Sequence, residues 1–275
     1  MDDSRLFAWL SALFGLAIGS FLNVCISRLP EHLSIVSPRS RCPRCRNFIA
    51  WYDNIPILSF LLLRARCRHC SATISWRYTA VELLTSLLFF GVVAVFGVGV
   101  EAVKWLLFSC VMVTLAFTDA ETQILPDVLT IGGTIAGLLL SLITPLHDLF
   151  TGLLFDGFAN PLPSLLNSAV GALALSIPFA AFGFTYARLR RILPPGWGDV
   201  KLLALMGAFL GFEQGLVASI VGMVSGAVLG LGYIVGTGKN PRLHPLPLGT
   251  FLCGAGIIIQ FWGPQITAWY SNRSS

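Results

Sequence analysis

Apolar runs long enough to cross, or nearly cross, a bilayer recur along this chain at about 6–27, 80–98, 102–118, 128–146, 165–187, 200–213, 215–236 and 248–270. A helix needs roughly 20 such residues to span a hydrocarbon core of ~30 Å. The pattern predicts an all-α polytopic membrane protein with about eight transmembrane helices. The run at 200–213 is short for a crossing and is expected to be the least regular. Only 11% of residues are charged, against roughly 25% in soluble domains. The chain starts Met-Asp-Asp-Ser-Arg, acidic where a cleavable signal would be basic, so the first run is read as a retained span. Gly and Pro punctuate the connections at Pro194-Pro195-Gly196 and from Pro241 to Pro247.

Charge sets the expected orientation. Eight of the eighteen basic residues lie between Arg39 and Arg77, and Arg188, Arg190 and Arg191 form a second cluster. With the N-terminus outside, only Arg5, Lys104 and Arg273 fall on the outer side, and the other fifteen face the cytoplasm. That satisfies the positive-inside bias, and the reverse path does not. Both termini are therefore expected on the non-cytoplasmic side, and 146–164 is read as a loop there. The same distribution removes nucleic acid as the explanation for the +5 net charge.

Between the first two spans lies a cysteine module. Cys42-Pro43-Arg44-Cys45 is followed after 21 residues by Cys67-Arg68-His69-Cys70. Two such hooks can offer four thiolates to one tetrahedral ion, and zinc is the default for a sulfur-only structural site. Two disulfides or a redox pair are the alternatives, and a reducing cytoplasm argues against disulfides. Trp51-Tyr52-Asp53-Asn54-Ile55-Pro56 is expected to supply aromatics for a small core. A metal would compensate for a module too small to stabilise itself. Cys25, Cys110 and Cys253 lie in apolar runs and read as packing residues. Glu82 could pair with an arginine and fasten the module to the membrane helices.

Two aspartates border long spans on the expected cytoplasmic side. Asp119 ends the third run, and Asp199 opens the sixth within Gly196-Trp197-Gly198-Asp199-Val200-Lys201. A carboxylate bordering hydrocarbon costs about 2.5–3.5 kcal/mol on insertion scales and persists where it has a function or a partner. A pair sharing one proton can hydrolyse a peptide: one carboxylate activates water and its protonated partner polarises the carbonyl. No His is followed by Glu, and no GxSxG occurs, so zinc-protease and serine-hydrolase centres are not indicated. Asp127, after Pro126, reads first as a helix start with its carboxylate near the first-turn amides. Helix ends alone suggest Asp199 as the base, near free amides, and Asp119 as the proton donor, near free carbonyls.

These residues resemble the bifunctional type IV prepilin leader peptidase/N-methyltransferase family of GxGD membrane aspartic proteases, over nearly the whole chain. Gly19-Ser20-Phe21-Leu22-Asn23-Val24 with Arg28-Leu29-Pro30 is similar to its N-terminal signature. Cys42-Pro43-x-Cys45, Trp51-Tyr52-x-Asn54-Ile55-Pro56, Cys67-x2-Cys70 and Ile74-Ser75-x-Arg77-Tyr78 are similar to its cytoplasmic module. Asp119-x5-Leu125-Pro126-Asp127 and Gly196-x-Gly198-Asp199-x-Lys201 are similar to its two catalytic motifs. Thr79 and Leu125 are small departures, where the family often has Pro and Ile.

The resemblance implies Asp119 and Asp199 as catalytic residues, with Gly196, Gly198, Lys201 and Asp127 supporting the motifs. It implies prepilin and pseudopilin substrates, a bacterial inner-membrane location, and N-methylation of the new N-terminus with S-adenosylmethionine as donor. No motif marks the methyl-donor site. The expected division is a first transmembrane helix at 1–28, a zinc module at 29–79, and a membrane peptidase domain at 80–275 with about seven helices. The competing readings are a proton- or ion-coupled transporter using the aspartates, and a membrane adaptor whose zinc module docks partners.

Overall fold

The computed structural model describes residues 3–146, 161–191, 196–237 and 247–274. Helices dominate, and two isolated bridges are the only β-pairing among the described residues. In chain order the helices are α1 (Asp3–Arg28), α2 (Leu58–Leu62), α3 (Arg77–Phe96), α4 (Val100–Thr122), α5 (Asp127–Ser141), α6 (Leu162–Arg190), α7 (Trp197–Thr237) and α8 (Leu248–Ser274). Of these, α1, α3, α4, α6 and α7 are long and apolar enough to cross a membrane, and α5 and the Leu248–Gly263 stretch of α8 are shorter apolar segments. This is a multi-pass membrane protein. The expected loop at 146–164 and the connections at Pro194-Pro195 and Pro241 lie largely outside the described residues.

The chain divides into two compact units, Met1–Thr114 and Leu115–Ser275. In the first, α1 packs along α3. Hydrocarbon gives helices no hydrophobic reason to associate, so small residues and interhelical hydrogen bonds must do it. A Cβ on Gly19 would stand 2.7 Å from Glu82 Cα, so only glycine allows this approach. Three side chains then donate across the seam to backbone carbonyls: Ser11 to Phe89 at 3.0 Å, Ser86 to Ala12 at 2.8 Å and Asn23 to Tyr78 at 3.0 Å. The Gly19-to-Asn23 signature thus has a packing reason.

In the second unit α5, α6 and α8 all pack on α7. That helix is interrupted at Gly211, whose φ of 78° and ψ of −175° lie in a region essentially reserved for glycine. The interruption is a sharp turn. A Cβ on Gly215 would lie 3.4 Å from Gly207 Cα, whereas eight residues of continuous helix would separate them by about 12 Å. The chain therefore folds back, two residues before the boundary expected between the sixth and seventh apolar runs. Asn167 of α6, fully buried, accepts a hydrogen bond from Phe212 N–H at 2.9 Å and satisfies an amide at the break.

Gly211→Ala should therefore destabilise the protein by about 1–3 kcal/mol. The added Cβ would combine a forbidden φ with a 3.0 Å approach to the Asn167 amide. Thermal unfolding in detergent measures it, and an unchanged midpoint would contradict the turn.

Candidate active site and metal centre

The second unit brings both aspartates to one place. Near its C-terminal end α4 carries Asp119, and Gln123, with φ 55°, closes the helix by donating its amide to Asp119 O at 2.9 Å. The chain then runs through Ile124, buried Leu125 and Pro126 into α5. Asp199 is the third residue of α7. Its carboxyl group and that of Asp119 interact electrostatically.

Leu125 is the wedge that organises this corner. A Cβ on Gly198 would meet Leu125 Cβ at 3.1 Å, and one on Gly249 would meet Leu125 Cδ1 at 3.2 Å and Asp119 Cγ at 3.0 Å. The glycine beside Asp199 and the glycine opening α8 thus both seat this one side chain. Gly196 lies open beside the Asp199 carboxylate: a Cβ there would stand 3.9 Å from Oδ2.

The two carboxyl groups have different surroundings. Asp119 is buried, 5% exposed, and its Oδ2 accepts Thr250 N–H at 2.7 Å and Thr250 Oγ1–H at 3.1 Å. Asp199 is half-buried and has no hydrogen bond to a side chain or amide of the described residues, which leaves its oxygens to solvent or substrate. Helix ends favour Asp199 as base and Asp119 as proton donor only when each aspartate feels its own helix alone. Asp119 closes α4 but points at the free first-turn amides of α8, so its own helix end does not decide its charge. Gly249 and Thr250 were missed by sequence reasoning. Their signal was the string Pro247-Leu248-Gly249-Thr250, a small residue and a hydroxyl at the start of the last apolar run.

Asp127 and Lys201 meet in an ion pair at 2.6 Å, linking the starts of α5 and α7. Asp127 is in the first turn of α5 but makes no side-chain cap there. Its role is thus a strut between two helix starts as well as a helix start. The helix bearing Asp199 is one of the two it joins.

In the first unit the four cysteines converge. Their sulfurs all lie within 4.8 Å of one another, and Cys42 and Cys70 Sγ are 3.8 Å apart. Tetrahedral coordination at ~2.3 Å per bond requires sulfurs about 3.8 Å apart, so the residues fit a metal ion. The hooks are twins offset by 25 residues. Cys42 N–H donates to Asn47 O at 2.9 Å and Cys67 N–H to Ala72 O at 2.8 Å, and the bridges Arg41–Phe48 and Arg66–Thr73 close each loop. Arg46 and Ser71 turn each hook through positive φ, 59° and 55°. Amide hydrogens of Cys45 and Arg44 pull the Cys42 thiol down to about 6, and those of Cys70 and His69 lower Cys67. Such donors favour the thiolates that a metal needs.

The expected aromatic core of this module is not formed. Trp51 and Tyr52 are exposed, 73% and 50%, and Ile55 also faces out. Cohesion comes instead from the cysteine cluster and from Arg68, which grips Asp53 at 2.6 Å and lies over the Tyr52 ring. Arg68 holds the Asp53 carboxyl below its usual range. Glu82 of α3, buried, accepts Ile57 N–H at 2.8 Å and so fastens the module through a backbone amide rather than an arginine.

Comparison with known proteins agrees with both halves. Residues 13–96 match the Bacterial Peptidase A24 N-terminal domain, and residues 106–231 match the Type IV leader peptidase family. A Prepilin leader peptidase/N-methyltransferase from Myxococcus xanthus is 42% identical over 238 residues, 86% of this chain and 66% of that protein. Proteins of the same name from Aeromonas hydrophila and Bacillus subtilis are 36% and 31% identical, spanning 94% of this chain and 91% and 95% of theirs. The chain belongs to the type IV leader peptidase family. No solved structure matches it. Asp119, Leu125, Asp127, Asp199 and Lys201 fall inside the second matched stretch and the four cysteines inside the first, whereas Gly249 and Thr250 lie beyond both.

Lys201→Ala should cost less than about 1 kcal/mol of stability, because the pair with Asp127 is partly exposed. Asp127→Ala should cost about the same. A double-mutant cycle on thermal unfolding measures the coupling, and a value well above 1 kcal/mol would mean the pair is buried in the folded protein.

Proposed function

We propose that the chain is a membrane aspartic endopeptidase that removes the basic leader from type IV prepilins and type II secretion pseudopilins, and N-methylates the new N-terminus. The observation that carries this reading is the meeting of Asp119 and Asp199, from two helices remote in sequence, around one apolar wedge. Membership of the leader peptidase family and the names of its relatives support it, and nothing in either favours the transporter.

The chemistry follows from the pair. One carboxylate takes a proton from water as the oxygen attacks the scissile carbonyl. The protonated partner donates to the carbonyl oxygen, and a proton passed to the leaving nitrogen completes the cleavage. Sharing one proton keeps base and acid available together. Half-buried Asp199 retains some access to water, and buried Asp119 is held in place.

The topology suits this substrate. In this reading α1, α3, α4, α5, α6, the two halves of α7 on either side of Gly211, and α8 would make eight crossings of the bacterial inner membrane. The basic-residue distribution puts both termini outside and both aspartates at the cytoplasmic face. A prepilin's basic leader would lie in the cytoplasm and its apolar helix in the bilayer, with the scissile bond at the aspartates. In this reading the chain comprises a first helix (1–28), a four-cysteine module (29–79) and a membrane peptidase domain (80–275). Cys42, Cys45, Cys67 and Cys70 would hold a structural zinc, whose chemistry there is to cross-link the two hooks. S-adenosylmethionine would supply the methyl group, and none of the described residues is assigned to bind it.

Asp119→Asn and Asp199→Asn should each abolish cleavage of a model prepilin in detergent, by a factor of about 10² or more, with the protein still inserted. An amide is neither base nor proton donor at neutral pH. Near-normal processing by either variant would remove the aspartic-protease reading. Elemental analysis should find about one zinc per chain, and Ser at any of the four cysteines should lower it and expose residues 29–79 to proteolysis. A metal-free protein with that segment intact would defeat the zinc assignment.

A further inference from the structure

We propose that Thr250 is a positioning residue for Asp119, one whose hydroxyl follows the proton on that carboxyl group. The proposal rests on Asp119 being half of the catalytic pair. Thr250 lies in the first turn of α8, where backbone amides have no partner within their own helix. Its N–H donates to Asp119 Oδ2 at 2.7 Å. The aspartate therefore caps α8 from α4, the service an N-cap residue renders within one helix.

The hydroxyl adds a second function. Thr250 Oγ1 is 3.1 Å from Asp119 Oδ2 and also 3.1 Å from Ala116 O. A hydroxyl carries one hydrogen and can both donate and accept, whereas a backbone carbonyl only accepts. Two arrangements are then open without moving a heavy atom. With Asp119 ionised, the hydroxyl hydrogen turns to Oδ2. With the proton on Oδ2, that O–H donates to Oγ1 and the hydroxyl hydrogen turns to Ala116 O. A protonated carboxyl keeps some acceptor capacity for the amide.

The need for such a partner comes from burial. Asp119 is 5% exposed, and a buried polar atom without a partner is costly. Asp199, half-buried and open, can meet water instead. An acid–base residue must lose and regain its proton in every turnover. A buried one held by donors alone would be matched in only one of its two states. Thr250 matches both.

The test compares Thr250→Val and Thr250→Ser in the full-length protein, beside Asp119→Asn, in cleavage of a model prepilin. Valine keeps the amide and the shape but removes the hydroxyl, and serine restores it. Thr250→Val should lower kcat about tenfold or more with KM within about twofold, and alter the pH–rate profile. Thr250→Ser should retain at least about half of kcat with the profile of the unsubstituted protein. The infrared carboxyl band that disappears in Asp119→Asn should shift in the valine variant and not in the serine variant. Unsubstituted kcat in Thr250→Val, or equal loss in both variants, would overturn the proposal while a dead Asp119→Asn left the aspartate pair standing. An active Asp119→Asn would instead remove the pair itself.

Discussion

Hydrocarbon does not hydrogen-bond, and that constraint shapes how the buried polar groups of the helices are placed. A soluble enzyme can leave a helix end or a loop amide to water. Here such groups find partners on other helices. Asn167 meets the amide after the Gly211 turn, Ser86 and Asn23 meet carbonyls of α1 and α3, and Asp119 meets the free end of α8. Each bond joins segments distant in sequence, so the backbone's need for partners also fixes tertiary position.

The aspartate corner follows the same constraint. Buried Asp119 accepts from Thr250, whereas half-buried Asp199 has no such partner among the described residues. Leu125 packs against Gly198 and Gly249, where a Cβ would crowd it. Outside the wedge, Asp127 and Lys201 tie α5 to α7 at a partly exposed pair worth little in stability. Their value is geometric, since they join the two helix starts that flank the site.

The cysteine module solves a different problem. Its aromatic residues are spent on the surface, so it has almost no apolar interior of its own. Two copies of one hook, each closed by the same three backbone contacts, aim four sulfurs at one point. Glu82 then supplies a buried acceptor to Ile57, an amide at a backbone position with φ 57° that offers no regular helical partner. A module built this way leans on converging thiols that could hold a metal ion and on its Glu82 anchor rather than on packing.

Much of this was legible in sequence because the signals were local. Apolar runs predict long apolar helices and a paired C-x2-C predicts converging thiols; each depends on residues near one another in the chain. The features that local signals do not carry all depend on contacts between distant segments. The turn at Gly211 needs Asn167, 44 positions away, to make a broken helix tolerable. Trp51 and Tyr52 read as core because aromatics usually are, and only the fold shows both largely exposed. The charge preference of Asp119 cannot be read from α4, the helix that carries it, because the group that touches it lies in the first turn of α8, 131 residues later. Sequence determined which residues could do chemistry. Tertiary structure decided their surroundings, because hydrogen bonds and burial act over a few ångströms of space, not along the chain.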